Sequence, residues 1–216
     1  MTKALAIAAG AGLILVYAAL MLLVIPSIQL AGMETPAGAQ APTQVAMQGR
    51  QLYVSLGCVY CHSQQPRAPM QTTADQAFGW GRASVPADYY YPGPHLLGTM
   101  RTGPDLFNIG ARQPSIDWQL THLYEPRAVV PWSIMPSYPF LFKETDIVLD
   151  SMREVRLPEA YQPANGHIVA TDKAMALVKY LISMDHTYPV DLLKPEPGDE
   201  PVEDKQAATT VADGEA

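Results

Sequence analysis

From Ala4 to Ile25 the chain runs 22 residues without a charge. At about 1.5 Å of rise per residue this makes about 33 Å of helix, enough to cross a bilayer core. In hydrocarbon a backbone must satisfy its own hydrogen bonds, so a spanning segment of this kind can only be a helix. A cleaved signal peptide has a shorter apolar core, about 7–15 residues. A retained anchor is therefore expected, although Ala37-Gly38-Ala39 has the form of a cleavage site. Lys3 precedes the run and the next charge is Glu34. The bias of positive charge toward the cytoplasm puts the N-terminus inside and the remainder outside. Pro26 is expected to end the helix near the outer surface.

The net charge of −7 is mostly local. Asp191 to Ala216 holds eight acidic residues and two lysines, so the rest of the chain is close to neutral. It has no basic run, which argues against nucleic acid as a partner. The acidic tail, with Pro195 and Pro197 and no aromatic after Tyr188, reads as disordered.

Between anchor and tail the pattern is of short helices in long loops, with no alternating strands. Thr35 to Gln44 is a flexible linker. A helix is predicted from about Ala46 to Leu56, stopped by Gly57. From Ser63 to Thr102, prolines and glycines break any period, and Trp80 and Tyr89-Tyr90-Tyr91 make the stretch aromatic. So long a loop in a compact domain wraps a cofactor, lies against another protein, or both. Ser115 can cap a helix from Ile116 to Tyr124, ended by Pro126. Thr145 is expected to cap another, from Asp146 to about Val155. The clearest helix is Thr171 to Met184, with Leu177, Tyr180, Leu181 and Met184 on one face.

Both cysteines of the chain stand in Cys58-Val59-Tyr60-Cys61-His62. A thioredoxin-type pair sits at a strand-to-helix junction in a βαβ unit, and here a helix leads in. A zinc site needs a fourth ligand, and no second cysteine pair exists. Cys-x-x-Cys-His is the attachment motif of c-type haem. Two thioethers would form from Cys58 and Cys61, with His62 as the proximal iron ligand. The exported position of the domain agrees with that chemistry. One covalently bound haem c is the expected cofactor.

A methionine opposite the histidine makes an electron carrier and raises the potential. Of ten methionines, Met152, Met175 and Met184 read as packing residues on helix faces, and Met33 and Met47 precede the motif near the linker. Met135 lies in Val130-Pro131-Trp132-Ser133-Ile134-Met135-Pro136-Ser137-Tyr138-Pro139, a loop stiffened by three prolines and two aromatics. A rigid loop can hold a weak sulfur ligand, so Met135 is the expected second ligand. Met70 or Met100, or a bis-histidine arrangement through His95 or His122, are the alternatives; His167 and His186 read as surface residues. Pro104, in Arg101-Thr102-Gly103-Pro104-Asp105-Leu106, offers a carbonyl that can accept from His62 Nδ1–H and orient the imidazole.

These residues resemble class I cytochrome c: a Cys-x-x-Cys-His motif, a Gly-Pro-x-Leu turn, a methionine loop and a closing helix. The resemblance implies that the first and last helices cross, with Gly49 and Tyr53 meeting Leu177, Tyr180 and Leu181. More narrowly, the chain resembles the membrane-anchored mono-haem subunit (subunit II) of cbb3-type cytochrome c oxidases. The matching pieces are GRQLYVSLGCVYCHSQ (49–64), RTGPDLFNIGAR (101–112), HLYEPRAVVP (122–131) and SIMPSYPFL (133–141). The pattern HLYxPR followed by SxMPxYP is specific.

The expected fold class is mainly α: a single N-terminal transmembrane helix plus an all-α class I cytochrome c domain with long loop insertions. Residues 1–30 would be the anchor, 31–45 the linker, 46–188 the cytochrome domain and 189–216 the tail. The resemblance implies that Arg101 lies near a haem propionate and that Ser84–Gly98 packs on the catalytic subunit. It implies an integral-membrane haem–copper partner, a further c-type cytochrome subunit, and a periplasmic haem domain on a bacterial inner membrane. A nitric oxide reductase subunit, a free-standing anchored carrier and a haem gas sensor are the alternative readings.

Overall fold

The computed structural model describes residues 2–32, 35–65, 81–91 and 95–190, apart from the Leu30 side chain. The acidic tail from residue 191, Met33, Met70, and prolines 66, 69, 92 and 94 lie outside the described residues.

The N-terminal helix comprises α1 (Thr2–Ala19), a π-helical turn (Leu20–Val24) and α2 (Ile25–Ala31). The most apolar 18-residue window of the span Thr2–Gln29 has a mean hydropathy of 2.5 and is not buried against the rest of the chain. It is long and apolar enough to cross a bilayer. Pro26 does not end it. A proline removes one helical N–H and crowds the carbonyl four residues back. The π-turn just before it widens the coil, and Ile25 N–H donates to the Leu20 carbonyl. Ser27 Oγ donates to the Leu23 carbonyl at 2.6 Å. Local bonds thus replace the ones the proline costs, and the helix continues to Ala31.

Helix α3 (Gln44–Ser55) starts two residues earlier than its apolar pattern predicts, because Thr43 caps it: Thr43 Oγ1 accepts from Ala46 N–H at 3.2 Å. It ends at Gly57, whose φ of 79° only glycine adopts freely. Helix α4 (Ile109–Arg112) is one turn. Helix α5 (Ile116–Tyr124) begins where Ser115 Oγ accepts from Trp118 N–H at 3.3 Å. Helix α6 (Asp172–Ser183) begins where Thr171 accepts from Ala174 N–H at 3.4 Å.

Helices α3 and α6 cross. A Cβ on Gly49 would stand 2.0 Å from the Ala176 carbonyl oxygen and 2.7 Å from Tyr180 Cβ. The backbones therefore touch where no side chain fits. One turn on, Tyr53 meets Tyr180 edge to face with centroids 5.4 Å apart. Tyr53, Leu120, Leu177 and Val178 are buried around this crossing. Full burial of one such aliphatic side chain contributes about 1.5–3 kcal/mol.

The expected helix from Asp146 to Val155 does not form. The chain instead makes a small antiparallel sheet in the order β1 (Phe142–Thr145), β3 (His167–Ala170), β2 (Arg153–Glu154). Phe142 pairs with Ala170, and Arg153 pairs with the other side of Ala170. Thr145 Oγ1 closes a local turn on Ile147, donating to its carbonyl and accepting its N–H, and no helix follows. Val155 buries its side chain, and its N–H donates to Ile168 at 2.8 Å. Pairing with the β-branched strand Ile168-Val169 outweighs a weak helical preference. Met152 is accordingly exposed, not a core residue, while Met184 is buried and Met175 packs at the core edge, as expected.

Gly49→Val should destabilise the detergent-solubilised full chain by about 3 kcal/mol, the upper range of overpacking. A denaturant midpoint unchanged from wild type would show that the crossing can relax.

Candidate haem-binding site

The motif follows directly from the end of α3. Cys58–Tyr60 forms a 3-10 turn, and Cys61 and His62 N–H both donate to the Cys58 carbonyl, at 3.2 and 2.9 Å. The tight turn gathers Cys58, Cys61 and His62 into one turn of backbone. Cys58 is half-buried, Cys61 is exposed, and the two are not joined. Burial pushes the Cys58 thiol up, against a hydrogen bond with Tyr138 that favours the thiolate. A redox-active thiol is tuned the other way. Among the described residues no three His, Cys, Asp or Glu side chains cluster as a metal site. The thioredoxin and zinc readings therefore gain nothing from the geometry.

His62 is held from three sides. Its Nδ1 lies 2.7 Å from the Pro104 carbonyl. A carbonyl only accepts, so Nδ1 carries the proton and Nε2 keeps its lone pair for a ligand. Gly103 lies flat against the ring: a Cβ there would stand 2.1 Å from His62 Cε1. Gly103 N–H donates to the Cys61 carbonyl at 3.1 Å. From behind, Tyr53 donates its hydroxyl to the His62 carbonyl. Burial lowers the His62 pKa, against the Pro104 hydrogen bond, so the ring is neutral at pH 7, as metal ligation requires. An imidazole fixed in this tautomer beside two free thiols fits a c-type haem.

Arg101 ion-pairs with buried Asp105 and donates to the Gln65 carbonyl. The long insertion returns to the motif nearby: Gln64 N–H donates to Leu96 at 2.8 Å and Ser63 Oγ to Met100 at 2.7 Å. Met100 itself is exposed. In the same insertion Arg82 forks onto Asp88 at 2.7 and 2.8 Å, and Tyr188 donates to Asp88 at 2.8 Å. His186 belongs to this cluster and is not a surface residue. It stacks on Phe107 with centroids 3.9 Å apart, and its Nδ1 lies 2.6 Å from the Phe107 carbonyl. His167 is exposed, as expected, and pairs with Glu154 at 2.5 Å.

Met135 is half-buried against the core. Its loop reaches the motif through Tyr138, whose hydroxyl lies close enough to the Cys58 thiol for each to shift the other's pKa. Burial and that neighbour push the Tyr138 pKa up to about 12. Sequence reasoning passed over Tyr138 because a loop aromatic carries no local sign of its partner. His122 stacks on Trp118 with centroids 4.7 Å apart, and its Nδ1 is buried without a partner. His95 is exposed and touches Tyr89 edge to face. A cavity of about 820 Å³ lies between residues 38–43, Arg50, Tyr89, Phe107 and Tyr188, and none of Cys58, Cys61, His62 or Met135 lines it.

The family model described as cytochrome c oxidase, mono-heme subunit/FixO, matches residues 2–184. The chain belongs to this family. It is thus a mono-haem subunit of a cytochrome c oxidase complex, of the kind found in cbb3-type oxidases. No individual curated protein matches it.

Burial, then the neighbouring His62, lowers the His122 pKa from 6.5 to about 4. The unfolded chain binds this proton more tightly, so stability is full above pH 6.5 and falls as pH drops toward 4. The loss from this group is at most about 1.4 kcal/mol per pH unit. His122→Phe should flatten that part of the stability-against-pH curve, read by denaturant unfolding at each pH. An unchanged slope would place the titration elsewhere.

Proposed function

We propose that this subunit is a membrane-tethered, single-electron carrier that feeds the haem–copper catalytic subunit of its oxidase. Cys58 and Cys61 would hold the haem covalently, and His62 and Met135 would be its axial ligands. Bound there, haem iron supplies one-electron chemistry between its ferric and ferrous states. The observation that carries the reading is the 2.7 Å contact from His62 Nδ1 to Pro104, which presents Nε2 as a donor beside two unpaired thiols. Pro104 would orient the imidazole and strengthen it as a donor. Arg101, a fixed charge next to the motif, would steady a propionate. Tyr53 and Gly103 would keep His62 from swinging away. With both axial positions filled, no coordination site is left for substrate, so the oxygen chemistry would belong to the partner.

The apolar helix Thr2–Gln29 supports an anchor with a cytoplasmic N-terminus and a periplasmic haem domain. A further c-type cytochrome would deliver the electrons. The insertion supplies a docking face: Tyr90 and Tyr91 are exposed and meet edge to face at 5.0 Å. A bis-histidine site through His122 is the second reading, favoured by its unpartnered buried Nδ1.

Cys58→Ala and Cys61→Ala should each leave one thioether, and the double variant should leave no haem on the chain in a denaturing gel stained for haem. Retention in the double variant would refute covalent attachment through these thiols. The sulfur-to-iron charge-transfer band should be present in the oxidised wild type, vanish in Met135→Ala and persist in His122→Phe; its absence from the wild type would favour the bis-histidine site. Tyr90→Asp should lower recovery of the large membrane subunit by several-fold with the haem spectrum intact. Loss of haem instead would make that tyrosine part of the core.

A further inference from the structure

We propose that Glu125 is a positioning residue for Met135, acting through Ser137; this rests on the reading of Met135 as the sulfur ligand. A thioether is an uncharged, weak ligand on a side chain with three rotors, so its hold on iron depends on how much order the loop already has. The loop from Val130 to Tyr138 has no regular secondary structure. On the N-terminal side of Met135, Ser133 N–H donates to Val130 at 2.9 Å and Met135 N–H to Ser133 Oγ at 3.2 Å. On the C-terminal side Pro136 has no N–H to give. The first tether there is Ser137 Oγ, which donates to Glu125 Oε2 at 2.9 Å.

Glu125 is built to receive it. The other oxygen, Oε1, accepts from Arg127 N–H at 3.2 Å and from the Arg127 guanidinium at 3.3 Å. The carboxylate is thereby aimed, and it springs from the end of α5 just before fully buried Pro126. A carboxylate acceptor makes the hydroxyl bond a charge-assisted one, stronger than a bond between neutral groups. One residue further on, Tyr138 N–H donates to Leu123 at 2.9 Å, so the loop is fastened to the same helix end twice.

The test is the displacement of the native sixth ligand by free imidazole, titrated spectroscopically into the oxidised, haem-loaded full chain in detergent. Glu125→Gln and Ser137→Ala should each bind imidazole on the order of tenfold more tightly, as loss of one charge-assisted hydrogen bond implies. The double variant should gain no more than the larger single, because Ser137→Ala removes the bond and Glu125→Gln takes away its charge assistance, so both act on the same interaction. Ser137→Thr, which keeps the hydroxyl, should bind imidazole as wild type does. Wild-type affinity in both singles, or additive gains in the double, would overturn the latch while the charge-transfer band, lost in Met135→Ala, still upheld the ligand. If Met135→Ala keeps that band, the ligand reading itself fails and the latch falls with it.

Discussion

The contact between Gly49 of α3 and the Ala176–Tyr180 stretch of α6 sets the position of everything around the motif. Two helices approach there to backbone distance, which only glycine permits. Tyr53, one turn beyond, is fixed by Tyr180 and sends its hydroxyl to the His62 carbonyl. Gln64, two residues after His62, donates to the Tyr180 hydroxyl at 2.8 Å. Both sides of the motif are thus registered to one residue of the closing helix. Helix packing, usually discussed as stability, serves here as the ruler for a coordination site.

The remaining walls of the site come from loops, and each is tied by polar bonds. Pro104 and Gly103 face the imidazole, Tyr138 faces Cys58, and Ser63 and Gln64 take up the returning insertion. Burial keeps His62 and His122 uncharged, and a neutral imidazole is the form that can ligate. Electrostatics and hydrogen bonding agree on the same protonation state. That consistency between levels is what a specified site looks like.

Much of this was legible in the sequence. The cap Ser115, the stop at Gly57 and the buried face of α6 follow from local rules, and all form as read. The His62–Pro104 bond was also legible, because the motif and the Gly-Pro turn each have a chemical reason to meet. What local reading missed depended on distant partners. Val155 left the helical pattern because β3 lay beside it and Ile168 accepts its N–H, and His186 became half-buried because Phe107 offered a ring to stack on. Pro26 was read as a stop because the rule describes a regular α-helix, and a π-turn escapes that rule.

That π-turn has an effect on the anchor as a whole. It inserts one residue into the helical count, and at 3.6 residues per turn one residue is about 100° of rotation. Side chains below Leu20 and above Val24 therefore fall out of phase, and a stripe drawn along the lower half does not continue into the upper. Gly10 and Gly12 leave open notches on the lower part, while Pro26 and Ser27 mark the upper. A straight neighbouring helix can follow only one of these stripes. The anchor thus presents two azimuths to its surroundings, one for each leaflet-length of helix, and can meet a different neighbour at each.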